Sequence, residues 1–216
     1  MIKPEVFQKM DRLKPKEERY HIPSDDMYLI GSAEHTIGAM HMDETFTLQD
    51  LPKRYAAFST AFRREAGSYG KDTRGIFRVH QFDKIEMVSF VLPQDEDKEH
   101  QYLLSLEEKI VSGLELPYQV VDICTGDLGF PASRKYDIEI FLPSQNKYRE
   151  THSVSTCGDF QSRRLNIKYK TPKESGFVII LNGTAVAVGR MLIAIIENYQ
   201  QKDGSIFVPK VLQKYT

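Results

Sequence analysis

The chain has 216 residues, 41% of them hydrophobic and 27% charged, enough to bury the core of an ordinary domain and far from disordered, collagen-like or disulfide-scaffold compositions. Lys plus Arg number 29 against 30 Asp plus Glu, so at a net charge of -1 no bulk basic field draws nucleic acid and any polyanion must be met locally.

In chain order, alternating and β-branched stretches predict strands over 58–66, 75–91, 118–124, 136–142, 148–154, 165–169 and 177–181. Leu103, Leu106, Ile110 and Leu114 recur at helical offsets after the acidic run 95–97, which predicts an amphipathic helix with a favourably charged start. Val188, Met191, Leu192, Ile195, Ile196 and Tyr199 predict a second helix over about 184–200. Repeats, low-complexity tracts and long linkers are absent, so residues 1–216 are expected to form a single domain. The Gly-rich segment between the first two strands is too short to hold a crossover helix, which makes that pair an antiparallel ribbon. An antiparallel sheet flanked by helices, α+β, is the expected class.

Cys124 and Cys157 lie far apart without CxxC spacing, as in a reducing, cytoplasmic setting and unlike a zinc cluster or disulfide framework. The apolar stretch 185–196 is interrupted by Arg190 and is shorter than a membrane span, and charged residues follow Met1 where a signal peptide would be apolar.

Side chains two apart share a strand face, so Arg78, His80, Phe82, Lys84 and Glu86 project together, as do Arg63 and Glu65 on the preceding strand. Such a charged row is either a solvated face or the floor of an anion-binding cleft. The segment GSYGKDTRG only loosely resembles a phosphate loop, since GxxxxGK[ST] and GxGxxG are both missing. Glu150 and Ser153 could offer oxygen ligands to Mg2+, but their odd spacing puts them on opposite faces of a regular strand, so joint ligation demands a bulge or an early strand end. A strand is expected to end at Asn182, with Gly183 and Thr184 leading into a helix whose positive end could face an anion. Arg190 in that helix suits a buried ion pair as well as a ligand contact.

The stretch FRREAGSYGKDTRGIFRVHQFDKIE (62–86) closely resembles motif 2 of the bacterial-type seryl-tRNA synthetases, a class II aminoacyl-tRNA synthetase family. YLIGSAEHTIGAMH (28–41), the block 124–169 and the block 181–215 resemble further parts of the same family in the same order. The resemblance implies an antiparallel sheet with flanking helices. It also implies an ATP-dependent ligase that activates L-serine as seryl-adenylate and passes it to tRNA(Ser) in the cytoplasm, with Mg2+ as cofactor and no membrane partner.

By that resemblance Arg63 holds the α-phosphate, Arg64 and Glu65 fix the nucleotide, and Arg78 adds a phosphate contact. Phe82 stacks on one face of adenine, and Arg190 covers the other and reaches the γ-phosphate. The stretch Glu150, Thr151, His152, Ser153 binds ATP, with Glu150 and Ser153 on the metal. Ser32, Ala33, Glu34, Glu86 and Thr184 form the serine pocket. Arg63, Glu65, Arg78 and Arg190 carry catalysis, and no protein nucleophile is required because the substrate carboxylate attacks.

Ser32 stands where the family commonly has Thr, and Gly31 where Pro is frequent. The match begins inside the family's catalytic domain. It therefore implies a C-terminal catalytic portion lacking the N-terminal coiled-coil arm and motif 1, the elements through which full-length members grip tRNA and form homodimers. Two alternatives follow: a noncatalytic paralogue or fragment that binds nucleotide or a partner, and an enzyme passing serine to a carrier protein.

Overall fold

Alternation along the strands decides which side of the sheet is core and which is cleft. The computed structural model describes residues 1–66 and 75–216, so all of the Gly-rich segment except Gly75 lies outside the described residues. In chain order the elements are α1 (Pro4–Lys9), β1 (His21–Ile22), β2 (Met27–Tyr28), α2 (Glu34–Ile37), β3 (Thr45–Thr47), β4 (Lys53–Phe62), β5 (Gln81–Val91) and α3 (Glu96–Gly113). They continue with β6 (Tyr118–Asp122), β7 (Arg134–Leu142), β8 (Lys147–Thr156), α4 (Phe160–Leu165), β9 (Lys168–Lys170), β10 (Ser175–Phe177), β11 (Ile179–Ala187) and α5 (Val188–Tyr199).

The principal sheet has six strands in the order β4-β5-β11-β8-β7-β6, every neighbouring pair antiparallel. Met87 and Val91 of β5, Leu181 of β11 and Val154 of β8 face one way, into a core closed by Leu103, Leu104 and Val111 of α3 and by Met191 and Ala194 of α5. Val88 and Phe90 of β5 and Ile180 of β11 face the other way, against Leu165 of α4, Tyr169 of β9 and Phe46 of β3. The small sheet β10-β9-β3 covers only part of that second face. Where it stops, the face turns from apolar to polar: Phe82, Lys84 and Glu86 on β5, Asn182 and Thr184 on β11, and Ser153 and Ser155 on β8 line open space.

α3 starts at Glu96 with Glu96, Asp97 and Glu99 in its first turn, where carboxylates favour the positive helix end. It stops where Glu115 takes φ +55. The ribbon pairs Lys53 with Phe90 through Phe62 with Gln81. Its first strand therefore begins and ends earlier than 58–66, because Glu65 adopts φ +53 and breaks the extended backbone. Segment 165–169 divides between the end of α4, a left-handed Asn166 (φ +56) and β9.

The largest correction concerns 182–187. The strand does not end at Asn182: β11 runs to Ala187, with an irregularity between Thr184 and Val186 against β5, and α5 begins only at Val188. Alternation of Asn182 and Thr184 with Gly183 and Ala185 keeps one face on the cleft and the other on the core, and this pattern outweighs the apolar helical periodicity that continues into α5. Thr184 consequently sits inside a strand, and the helix start that meets the cleft lies further on, with Ala187, Gly189 and Arg190 on the smaller cavity.

Candidate active site

Two contiguous cavities share Arg63, Glu65, Arg78, Lys84, Ser153 and Thr184 as common walls, so the charged row on β5 is the floor of a cleft. The smaller, about 120 Å³, adds Phe82, Glu150, Thr151, Gly189 and Arg190. The larger, about 590 Å³, adds Arg12, Arg19, Ser32, Glu34, Glu86 and Asn182. His80 belongs to neither: regular strand begins only at Gln81, and His80 Nδ1 instead lies 2.6 Å from the Tyr20 hydroxyl.

Motif-like residues at the end of β4 are fixed by backbone ties. The Phe62 N–H donates to the Ile30 carbonyl at 2.8 Å and the Arg63 N–H to the His80 carbonyl at 2.9 Å. Arg63 Nε donates to the Gly31 carbonyl at 3.2 Å while its guanidinium stands 5.3 Å over the Phe82 ring. Glu65 pairs with Arg78 across the mouth of the ribbon. Arg64 turns away: its guanidinium covers Tyr20 at 5.8 Å and lines neither cavity, as alternation from Arg63 requires.

The far end of the cleft holds two buried carboxylates. Glu34 is 6% exposed and Glu86 3%. Ser32 Oγ donates to Glu86 Oε1 at 2.7 Å and accepts from the Glu34 N–H at 3.1 Å. Glu86 is also paired with Lys84. Glu34 Oε1 takes Arg12 Nε at 3.1 Å, Arg12 Nη2 at 2.7 Å and Gln161 Nε2 at 3.3 Å. Burial pushes the Glu34 carboxyl up, but Arg12, His35 and Gln161 outweigh it and hold the group at about 2. Burial drives its neighbour His35 down to about 3, so that imidazole is neutral. Ala33 is buried and lines neither cavity.

On β8 the bulge demanded by the 150/153 spacing is present. His152 pairs with Ile138 and Glu150 with Glu139, leaving Thr151 as the extra residue, its Oγ1 donating to the Ile138 carbonyl at 3.2 Å. One inserted residue restores an even count, so Glu150 and Ser153 face the same cavity. His152 falls on the opposite side, fully buried and held down to about 4 by desolvation, and reaches neither cavity.

Arg190, in the first turn of α5, donates from Nη1 to the Glu150 carbonyl at 2.9 Å and stands 3.3 Å from its Oε1. Its guanidinium lies 4.7 Å over the Phe77 ring, with Arg149 at 4.1 Å over the same ring. Burial lowers the Arg190 pKa, with Arg63, Arg78 and Arg149 adding to the effect and Glu150 opposing it. Arg12, Gln161 and Phe77 shape the site without having been assigned a part in it by sequence, and Lys84 was placed on the row facing the cleft but given no role. For Lys84 the two-residue strand period was a usable signal, whereas Arg12 and Gln161 meet Glu34 only through packing of α1 and α4 at separations of 22 and 127 residues.

Chemically the cleft combines a cationic wall (Arg63, Arg78, Arg190), aromatic faces, a carboxylate and hydroxyl pair (Glu150, Ser153), and an inner pocket of opposite sign. A ligand with an anionic, phosphate-like part and a cationic amine is its complement. Among the described residues no group of three or more His, Cys, Asp or Glu is placed to enclose a metal. Glu150 and Ser153 still fit Mg2+, which takes few protein oxygens and completes its shell with water and substrate phosphates.

This antiparallel sheet, with a charged cleft at one end and helices behind, is the architecture of the class II aminoacyl-tRNA synthetases. Residues 17–199 match the family described as tRNA synthetase class II core domain (G, H, P, S and T), and the chain belongs to that family. It is 54% identical over 199 residues to a serine–tRNA ligase of Streptomyces coelicolor, covering 92% of this chain and 47% of that protein. The crystal structure of seryl-tRNA synthetase from Pyrococcus horikoshii complexed with ATP superposes with TM-score 0.95 at 43% identity, covering 99% of this chain and 48% of that one. The cytoplasmic serine–tRNA ligase from Naegleria fowleri in complex with AMP gives 0.93 at 38%, covering 99% and 52%. The chain spans about half the length of the curated relatives it matches.

Proposed function

We propose that this chain carries the catalytic domain of an ATP-dependent serine-activating ligase, which forms seryl-adenylate and transfers serine to tRNA(Ser). The observation that carries this reading is the juxtaposition, in one cleft, of the arginine wall with the Ser32–Glu86–Glu34 pocket. The similarity to serine–tRNA ligases over 92% of the chain supports it.

In this reading a serine carboxylate oxygen attacks the α-phosphorus of ATP and the bond to the bridging oxygen of pyrophosphate breaks, so both reactants are consumed without a protein nucleophile. Glu34 stays ionised through Arg12 and meets the serine ammonium. Glu86, already accepting from the Ser32 hydroxyl, offers its carboxylate to the substrate hydroxyl, with Thr184 completing the wall. A pocket built to bond that hydroxyl rejects alanine, because binding it would strand buried polar groups.

Arg63 compensates charge at the α-phosphate, with Arg78 and Glu65 holding each other in place, and Arg190 covers the base and reaches the outer phosphate. Phe82 supplies the other aromatic face, and the base takes the place that the Phe77 ring holds against Arg190. Glu150 and Ser153 would hold Mg2+, which when bound neutralises phosphate charge. Roles for Arg64, Ala33, Thr151 and His152 are limited to backbone or support, since of these only Thr151 lines the cleft.

A single domain over 1–216, a homodimeric assembly and a cytoplasmic location belong to the same proposal. No helix among the described residues is long and apolar enough to cross a membrane. Serine-dependent exchange of labelled pyrophosphate into ATP tests the reading.

A further inference from the structure

Directly behind the proposed serine pocket, on the core side of the sheet, lies a carboxyl for which the reaction above has no use. Glu107 of α3 is 0% exposed, and among the described residues neither of its oxygens has a well-formed hydrogen-bond partner. Its Oε1 would stand 2.8 Å from a Cβ on Gly183, closer than real Cβ contacts come, so any side chain at 183 would have to displace the carboxyl. The side chains of Val154 and Met87, whose residues pair with Gly183 on either side, close in at 3.3 and 3.4 Å from the same point.

Asn182 and Thr184, which flank Gly183, face the cleft. Thr184 is also the last residue before the register of β11 shifts against β5. The backbone N–H of Thr184 is near enough to oppose the upward shift of the Glu107 carboxyl without making a well-formed hydrogen bond to it. An acid buried this completely costs stability unless it contributes something a hydrocarbon would not.

We propose that Glu107 is a positioning residue of the amino-acid pocket: through Gly183 and the Thr184 backbone it seats β11 at its irregularity, so that Thr184 stands beside Glu86 at the pocket wall. The inference rests on the reading of that pocket as the serine site. Burial, with Glu86 and Asp137 adding and Lys84 opposing, raises the carboxyl well above the ordinary carboxylate range, which favours the neutral acid. Glutamine reproduces that form in shape and polarity, whereas methionine fills the same space without it.

The test compares the parent chain with E107Q and E107M. In threonine-labelled protein without substrates, solvent exchange of the Thr184 amide should stay within about twofold in E107Q and quicken about tenfold in E107M, while the Thr156 amide and the thermal midpoint hold. In the pyrophosphate exchange assay the E107M change should raise KM for serine about tenfold and leave KM for ATP within about twofold. Unchanged Thr184 exchange in E107M, equal behaviour of the two variants, or loosening of all threonine amides together would overturn the proposal. If the parent chain shows no serine-dependent pyrophosphate exchange, the serine reading fails on its own, and the amide measurement still decides whether Glu107 seats Thr184.

Discussion

Arg190 shows how one residue can have two readings until its surroundings are known. In sequence, an arginine amid Val188, Met191 and Leu192 suits a buried ion pair or a ligand contact. In the structure its ion pair is with a half-exposed Glu150 at 3.3 Å and not a buried one, and it is placed for the second, holding the Glu150 carbonyl at 2.9 Å while its guanidinium faces the smaller cavity. Replacing Arg190 by alanine should lower kcat/KM for adenylate formation by about 100-fold or more, the range found when a charge-stabilising donor is removed. The fold should persist, because the carboxylate left behind on Glu150 is 46% exposed and remains solvated. Near-parent exchange kinetics with an unchanged circular dichroism spectrum would remove Arg190 from the phosphate wall. Arg12 was silent in the sequence for the opposite reason: a lone arginine before a polar stretch carries no pattern, and only its fork geometry on Glu34 gives it meaning.

At the level of elements, legibility followed periodicity. The stripe Leu103, Leu106, Ile110, Leu114 packs as expected on the sheet, and the strands β7 and β8 fall within two residues of their expected spans, whereas β5 ends where expected but starts at Gln81 and not at Gly75. The start of β4 was missed because Lys53–Ala57 has weak strand character of its own and is held by five of the ten pairings to β5, which no local signal reveals. The short elements α1, α2, β1, β2, β3 and β10 carry too few residues for a period to register. The bulge at Thr151 was legible only as a condition: Glu150 and Ser153 can share a face if one residue is extra, and one residue is. Inserting one alanine beside Thr151, which makes the count from Glu150 to Ser153 odd again, should return Glu150 to the opposite face. Binding of Mn2+ in the presence of ATP, followed by paramagnetic resonance, should then weaken about tenfold or more. Unaltered metal affinity in a folded insertion variant would separate the register of this strand from the metal site.

Across the whole molecule, sequence made the sheet, the two long helices and most of the cleft wall readable, because charged residues at two-residue spacing on a central strand need an explanation that a core does not supply. It could not place the boundary between β11 and α5, where strand alternation and helical periodicity overlap, nor the contacts that α1 and α4 bring to Glu34. Acid response is a property of the assembled fold. Burial holds His35 at about 3 and His152 at about 4, both below the ordinary 6.5, and Arg12 keeps Glu34 at about 2 against the ordinary 4.5. Each of these depressed groups contributes stability that is complete above its ordinary value and is lost as pH falls toward its folded value. Burial and Glu150 raise Asp137 from 3.8 to about 6, which acts in the opposite direction over 3.8 to 6. Glu107 is raised too and acts in the same direction as Asp137, but the depressed groups, His100 and Glu99 among them, outnumber these two, so the thermal midpoint should fall between pH 6.5 and 4 and further below 4.5, and a flat profile from pH 7 to 3 would contradict this. The central claim, that this cleft activates serine, is tested most directly by exchange of labelled pyrophosphate into ATP with Mg2+ on the 216-residue chain. The account predicts exchange that depends on serine and is not supported by alanine; no exchange in a folded sample, or exchange indifferent to the amino acid, would contradict it.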